Sequence, residues 1–262
     1  MKLWPYFTKA VAAPAVVGMC VLAPAPGARA ADAVDPDAQG VLAAMSSYLG
    51  GLGSFSVEYA AVDEIVTPEG EKLQFIHSGE ITVQRPDRMR ATRRGAAGAA
   101  EVFLDGGALT LFGTEANGYL RLPASGIDAA IDAVRRLGFD APGADLLASK
   151  PLDSSTTDVT SGAHIGMTFI DEAQVHQLAF RGAEVDWQLW VTTGDRPLPV
   201  RLVITTKTVS GAPQYTLQLR NWNVAPQIDA ARFAFTPPQG ARPLDPNSVS
   251  VNAVGDMTIK RE

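Results

Sequence analysis

Three histidines and a short arginine run are the groups in this 262-residue chain best suited to chemistry. His77, His164 and His176 are far apart in sequence and lack the His-x-x-x-His or His-Glu-x-x-His spacing that seats two imidazoles on one metal, while Asp and Glu are scattered. No metal site and no cofactor is therefore expected. His77 falls in register with Phe75 and Ile81 on the apolar side of a strand pattern, which suits a core imidazole with one hydrogen-bond partner or a contact to a ligand. Nucleophilic catalysis has little to start from: there is no Gly-x-Ser-x-Gly elbow and no Ser-x-x-Lys motif in a suitable setting. A triad assembled from distant residues stays open, but the chain reads as a non-enzyme. The glycine-rich Gly50-Gly51-Leu52-Gly53 lies between helix and strand, the reverse of the order that a phosphate loop needs.

Arg85, Arg88, Arg90, Arg93 and Arg94 form the one dense basic run. Strand alternation puts Arg88, Arg90 and Arg94 on one face, opposite Met89 and Ala91, as a solvated outer surface or a site for an acidic headgroup or a protein partner. Binding by burial has more to offer. Tyr59, Phe75, Leu109, Leu111, Trp187, Leu189, Leu202, Ile204, Leu217 and Leu219 all occupy the apolar phase of strand patterns. They either fill a core against covering helices or line a cavity for an acyl chain.

The elements that must position these residues are strands. In 185–205, Val185, Trp187, Leu189 and Val191 alternate with Asp186, Gln188, Trp190 and Thr192; a Gly194-Asp195-Arg196-Pro197 break precedes Val200, Leu202 and Ile204. Period two on both sides of a Gly/Pro connector predicts an antiparallel hairpin with one apolar face. Before it, Asp35 and Pro36 open a helix with Val41, Leu42, Met45, Tyr48, Leu49 and Leu52 on one side, ending at Gly50-Gly51. A meander of about six strands follows, in which Leu73, Phe75, His77, Gly79, Ile81 and Val83 share a face. Ser125 is placed to cap a helix over 127–137, with Asp128 in its first turn and Arg135-Arg136 in its last, and a shorter helix is expected over 142–148. Strands resume at 163–171 and 174–181, then the tryptophan hairpin, then 215–222. The expectation is an α+β domain: a strongly curved antiparallel sheet of about eleven strands, an open half-barrel, with covering helices. Residues 31–240 make the domain and 241–262 a loosely attached tail, with an edge strand expected at 248–254.

The hairpin also carries a resemblance. Asp186-Trp187-Gln188-Leu189-Trp190 followed by Gly194-Asp195-Arg196-Pro197-Leu198-Pro199, together with Val83-Gln84-Arg85-Pro86-Asp87-Arg88, Asn221-Trp222-Asn223 and Phe233-Ala234-Phe235-Thr236-Pro237-Pro238, resembles an uncharacterised family of predicted periplasmic proteins, a domain of unknown function. That family is similar in fold to the lipoprotein-carrier superfamily that includes LolA, LolB and LppX. The resemblance covers roughly residues 36–240 and implies a fold and a compartment; the family lends no catalytic residues. It implies a protein that binds or carries a lipid, amphiphile or acylated protein in a hydrophobic cavity, with an envelope structural or protein-interaction module with a filled core as the alternative.

The first 30 residues agree with export. Lys2 and Lys9 precede an apolar run from 11 to 22, and Ala28-Arg29-Ala30 is a small-x-small cleavage site, which makes 1–30 a signal peptide and the mature protein periplasmic. Nothing later reaches the length of apolar chain that would span a bilayer. Lipidation at Cys20 is disfavoured because Met19 is bulky where processing wants a small residue. Removing Lys2, Lys9 and Arg29 from 22 basic side chains leaves 19 against 28 acidic ones, a formal charge of −9, with no thiol. Such charge opposes nucleic acid and anionic bilayer surfaces as partners; a lipid, an acylated protein or an envelope protein is the expected one. Intact-mass analysis of the exported protein is expected to show a chain starting at Ala31 without an acyl adduct; a diacylglyceryl-modified chain starting at Cys20 would overturn the cleavage assignment.

Overall fold

The computed structural model describes residues 34–96, 98–139, 141–153, 156–251 and 257–259. The expected signal peptide, its cleavage point and Cys20 lie outside the described residues. By contacts the chain divides into Met1–Ala31 and Asp32–Glu262, and every described helix and strand lies in the second unit.

Helix α1 (Pro36–Gly51) starts as its sequence dictates. Asp35 stays extended and its carboxylate accepts from the Asp37 N–H at 2.9 Å, with Pro36 just inside the first turn. Ala38, Leu42, Met45 and Leu49 recur at four- and three-residue steps and are buried. The helix stops where Leu52 turns to extended backbone. Six antiparallel strands come next in order: β1 (Ser54–Val66), β2 (Lys72–Gln84), β3 (Arg88–Gly95), β4 (Gly98–Asp105), β5 (Ala108–Gly113) and β6 (Gly118–Pro123). Helix α2 (Ile127–Arg136) interrupts them. Five more strands complete the second meander: β7 (Val159–Ile170), β8 (Ala173–Gly182), β9 (Val185–Thr192), β10 (Pro199–Thr206) and β11 (Gln214–Asn223).

The two meanders become one sheet because β11 returns to pair antiparallel with β1, Tyr59 opposite Leu219 and Ala61 opposite Leu217. A twelfth strand, β12 (Arg242–Pro243), pairs parallel with β6, so the order is β12-β6-β5-β4-β3-β2-β1-β11-β10-β9-β8-β7. The sheet is curved and unclosed, as the sequence predicts, with one strand more than the eleven expected. Apolar rows cross its inner face: Phe55, Val83, Met89, Leu104, Leu109 and Leu122 stand on successive strands of one half, and Ala61, Leu217, Leu202, Leu189 and Leu178 on those of the other. Both helices and the segment after α2 pack on this face in a single hydrophobic cluster.

Four local expectations are corrected. Ser125 does not cap α2: Gly126 precedes the helix without a side-chain cap, and the Ile127 N–H donates to the Pro86 carbonyl at 3.1 Å, which satisfies the end of the helix from the sheet instead. The shorter helix expected over 142–148 is one 3-10 turn, Ala144–Leu146. Of the segment 248–254, the described Val249–Val251 does not join the large sheet: as β13 it pairs with β14 (Met257–Ile259) in a sheet of their own. The edge is taken earlier, because the Arg242 N–H donates to the Asn117 carbonyl at 3.1 Å, that of Leu244 to Tyr119 at 2.8 Å, and the Leu244 side chain rests on Gly118. The chain therefore stays with the sheet beyond residue 240. Finally, the apolar face of β2 is not covered along its whole length: Leu73 is 45% exposed and Ile76, on the other face, 64%.

The outer face has a cover of its own. After β11 the chain crosses back to the β6 edge as a strap, with a 3-10 turn at Ala230–Phe233 that contacts β3 and β4 and buries Phe233 completely. Phe235 sits among the rings of Phe103, Phe112 and Tyr119, with centroids 5.1–5.6 Å away, and Arg232 binds Glu80 at 2.8 Å.

Candidate functional site

The site is built from the tryptophan hairpin outward. On β9, Trp187, Leu189 and Val191 face inward and are buried, while Trp190 faces out beneath the Arg201 guanidinium, 5.6 Å from its ring centroid. The connector holds its shape because the Thr192 hydroxyl donates to the Arg196 carbonyl at 2.7 Å and accepts from the Leu198 N–H at 2.8 Å. On the neighbouring strand Phe180 lies opposite Trp187, and the two rings stack at 4.1 Å with 20° between their planes. Phe180 in turn floors a cleft of about 560 Å³.

One wall of that cleft is α1, through Gln39, Leu42, Ala43, Ser46 and Ser47; the other is the segment after α2, through Pro151, Leu152, Asp153, Thr156 and Val159. The volume lies within the range of small-molecule sites, and the lining mixes an apolar majority with a few polar groups. Its upper end is tied where the Ser46 hydroxyl donates to the Pro151 carbonyl at 2.9 Å. One helical turn further on, a Cβ at Gly50 would fall 2.8 Å from the Ser149 carbonyl oxygen, so only glycine lets helix and segment approach this closely.

Of the ten apolar residues expected to line a cavity, Leu109, Leu111, Trp187, Leu189, Leu202, Leu217 and Leu219 are buried in the one core cluster, and Tyr59 and Ile204 pack against it partly buried. Phe75 stands opposite Asp63 on the inner face, half-buried and outside that cluster. None of the ten is among the residues lining the cleft; Trp187 reaches it through the Phe180 stack. Leu202 and Leu217 are closed over by the segment after α2: a Cβ on Gly143 would come within 2.9 Å of Leu217 and 3.7 Å of Leu202. The cleft residues of that segment carry no periodic signal, because an irregular connection has no repeat to read. Phe180, in phase with Leu178 on β8, is legible as an inward residue and belongs with the ten.

Ionisable groups on the inner face form two separate clusters, one on β1–β2 and one on β7–β8. His77 Nε2 lies 3.2 Å from the Asp63 carboxylate, the single partner expected for a core imidazole, and meets Tyr59 edge-on at 5.7 Å. The Tyr59 hydroxyl donates to the Thr92 carbonyl at 3.0 Å; burial pushes its pKa up to about 12, with Arg93 opposing and Asp63 assisting. His164 and His176, distant in sequence, are brought together by the β7–β8 hairpin with Nε2 and Nδ1 3.1 Å apart. His164 lies seven residues before Asp171 and His176 four after Glu172, so the rings meet diagonally across the hairpin and not as direct register partners. Burial, then the neighbouring His164, holds the His176 pKa below its ordinary value. No group of three or more metal-ligating side chains occurs among the described residues.

The arginine row lies on the outer face, where β4 partly neutralises it. Arg90 pairs with Glu101 at 2.7 Å and lies over the Phe103 ring, Arg88 approaches Asp105 at 3.8 Å, and Arg94 is exposed. Arg85 points the other way, over the inner Phe55 ring.

Leu217→Glu places a carboxylate under Gly143, and a urea melt is expected to show a loss of roughly 3–5 kcal/mol; a near-neutral change would mean that the segment lifts away from this wall. A histidine whose pKa is depressed on folding stabilises the fold fully above about pH 6.5 and loses that contribution as pH falls below it. Thermal melts at pH 7.5 and 5.0 are expected to differ less in His176→Gln than in the wild type, and an unchanged difference would remove His176 from the pH response.

Among solved structures the chain is similar to the Mycobacterium tuberculosis lipoprotein LppX, at 13% identity over 74% of this chain and 100% of that one, with a TM-score of 0.49. It is similar to LprF from Mycobacterium bovis at 17% identity over 79% and 99%, TM-score 0.46, and to a LolA superfamily protein from Nitrosomonas europaea at 14% over 76% and 97%, TM-score 0.40. No curated protein matches it. The model of one family, described as predicted periplasmic protein (DUF2092), matches residues 38–245, which takes in both meanders, α2 and β12. The chain belongs to that family of predicted periplasmic proteins.

Proposed function

We propose that the protein binds the acyl chain of a lipid, amphiphile or acylated protein beneath its helical cover and ferries it through the periplasm, without catalysis. The observation that supports this most directly is the cleft between α1 and residues Pro151–Asp153, Thr156 and Val159, lined on the inner face of the sheet by Phe180, which stacks on Trp187. Each buried methylene contributes about 0.8 kcal/mol, so a 16-carbon chain offers roughly 13 kcal/mol before the ordering and association costs. Polar groups at the rim, Ser47, Asp153 and Thr156, suit an occupant with one wet end. No helix among the described residues is long and apolar enough to cross a membrane.

The second reading, an envelope interaction module with a filled core, is favoured by one observation: the fit of Gly143 against Leu217 and Leu202, which leaves that part of the inner face packed by the chain itself. Native mass spectrometry of protein taken from the periplasm separates the two. The carrier reading expects a lipid-sized adduct in the wild type and its loss in Ala43→Trp, which fills the cleft from an exposed helix position at a propensity cost of about 0.5 kcal/mol. An adduct-free wild type would leave the filled-core module standing; an adduct that survives Ala43→Trp would move the ligand out of this cleft.

A further inference from the structure

Arg85 and Arg93 are the arginines of the run that the outer face does not use; Arg93 shares the phase of Met89 and Ala91 and acts on Tyr59, and the surroundings of Arg85 are unusual for a cation. Arg85 follows β2, its backbone N–H donates to the Gly53 carbonyl at 2.9 Å, and its guanidinium turns inward to lie 5.9 Å from the centroid of the Phe55 ring, itself fully buried. One nitrogen is engaged: Nη1 donates to the Leu147 carbonyl at 2.9 Å. The other two, Nε and Nη2, are shut off from solvent and have no hydrogen-bond partner. The nearby carboxylate, Asp128 at the start of α2, is committed elsewhere, accepting from the Ser149 N–H at 2.8 Å and the Ser149 hydroxyl at 2.6 Å. Burial pulls the Arg85 pKa down and Asp128 only partly offsets it, the pattern of a cation short of counter-charge.

The identity of the two idle nitrogens decides what would suit them. Nε and Nη2 form the side-on fork of a guanidinium, whose two N–H groups run parallel at the spacing of two oxygens on one carboxylate or phosphate. A buried fork left empty costs the desolvation of a charge without return, whereas an oxyanion in it would make two charge-assisted hydrogen bonds in a setting of low polarity. Position links the fork to the cleft. Leu147, held by Arg85, lies four residues before Pro151 of the cleft wall, and on α1 the Ser46–Gly50 turn runs from the Pro151 contact to the Ser149 contact. The fork therefore lies beyond the Ser46–Pro151 and Gly50–Ser149 contacts that close the upper end of the cleft, and a headgroup would reach it where helix and segment part.

We propose that Arg85 is the anchor for an acidic headgroup, a carboxylate or phosphate, on the amphiphile bound in the cleft; this rests on the carrier reading. The Nη1 bond to Leu147 would persist in the complex, so binding adds contacts to Arg85 without removing one. The outer-face arginines have no part in it, since Arg90 and Arg88 face carboxylates of their own strand pair.

The test uses three probes that share one 18-carbon monounsaturated chain: oleate, oleoyl lysophosphatidate and oleyl alcohol, measured by calorimetry and by Trp fluorescence on delipidated mature protein. Wild type is expected to bind at least one acid about ten-fold or more tighter than the alcohol, and which acid wins distinguishes carboxylate from phosphate. Arg85→Met is expected to abolish the preference, so that acids and alcohol bind within about two-fold of each other. Arg85→Lys, which keeps the charge and loses the fork, is expected to retain only part of it, and it serves as the second variant if Arg85→Met does not fold. Equal binding of acids and alcohol by the wild type, or an acid preference that survives Arg85→Met or is fully kept in Arg85→Lys, overturns the anchor and leaves the carrier reading intact. A wild type that binds none of the three probes overturns both.

Discussion

The pairing of β1 with β11 is the contact on which the rest depends. Each meander alone is a small sheet with one greasy face and nothing large enough to cover it. Joined through Tyr59–Leu219 and Ala61–Leu217, they present a continuous apolar floor on which α1 and α2 pack in one cluster. The pairing is also the most non-local in the sheet, since 147 residues, 67–213, separate the two strands. Its loop-closure cost falls on burial of the inner face rather than on any local turn. A change that weakens that burial therefore acts on the whole sheet and not on one hairpin.

Strands are legible in the sequence because their code is short-ranged. The alternation at Trp187, Leu189 and Val191, and again at Leu202 and Ile204, needs only a period of two to be read, and the structure repeats it. Helix α1 is equally plain from Asp35, Pro36 and the Leu42–Met45–Leu49 stripe. What escapes is set by distant contact. Ser125 is a good cap by type, yet the Pro86 carbonyl reaches Ile127 first. Phe233 and Phe235 read as the end of a pattern, and only the fold shows them to be the centre of a second, outer core over β3–β6.

The site shows the same division. The inward phase of seven of the ten candidate residues follows from alternation, and they are buried as that phase requires. Which of them meets open space does not follow from phase, because it depends on where an aperiodic segment comes to rest. Gly143 in the segment after α2 closes over Leu202 and Leu217, and the cleft lies beside Phe180 instead. His164 and His176 illustrate the reverse case: the turn between them carries their pairing, but two histidines twelve apart have no motif until a hairpin is drawn through them.

The strap that crosses the outer face has a mechanical consequence. Across β3–β6 the sheet is laminated, with the helices on one side and the Phe233–Phe235 aromatics on the other, so bending it there means shearing two packed layers at once. At the opposite end β7 is a terminal strand whose Ile165, Met167 and Phe169 stand 57–66% exposed, and whose register with β8 is broken by a bulge between His164 and Gly166. The sheet is thus covered on both faces across β3–β6 and ends at the other edge in a terminal strand with exposed apolar side chains. The cleft lies towards the β7 edge, where Val159 of β7 and Phe180 of β8 belong to its lining, so its width is set by how these two strands sit and not by the laminated half of the sheet.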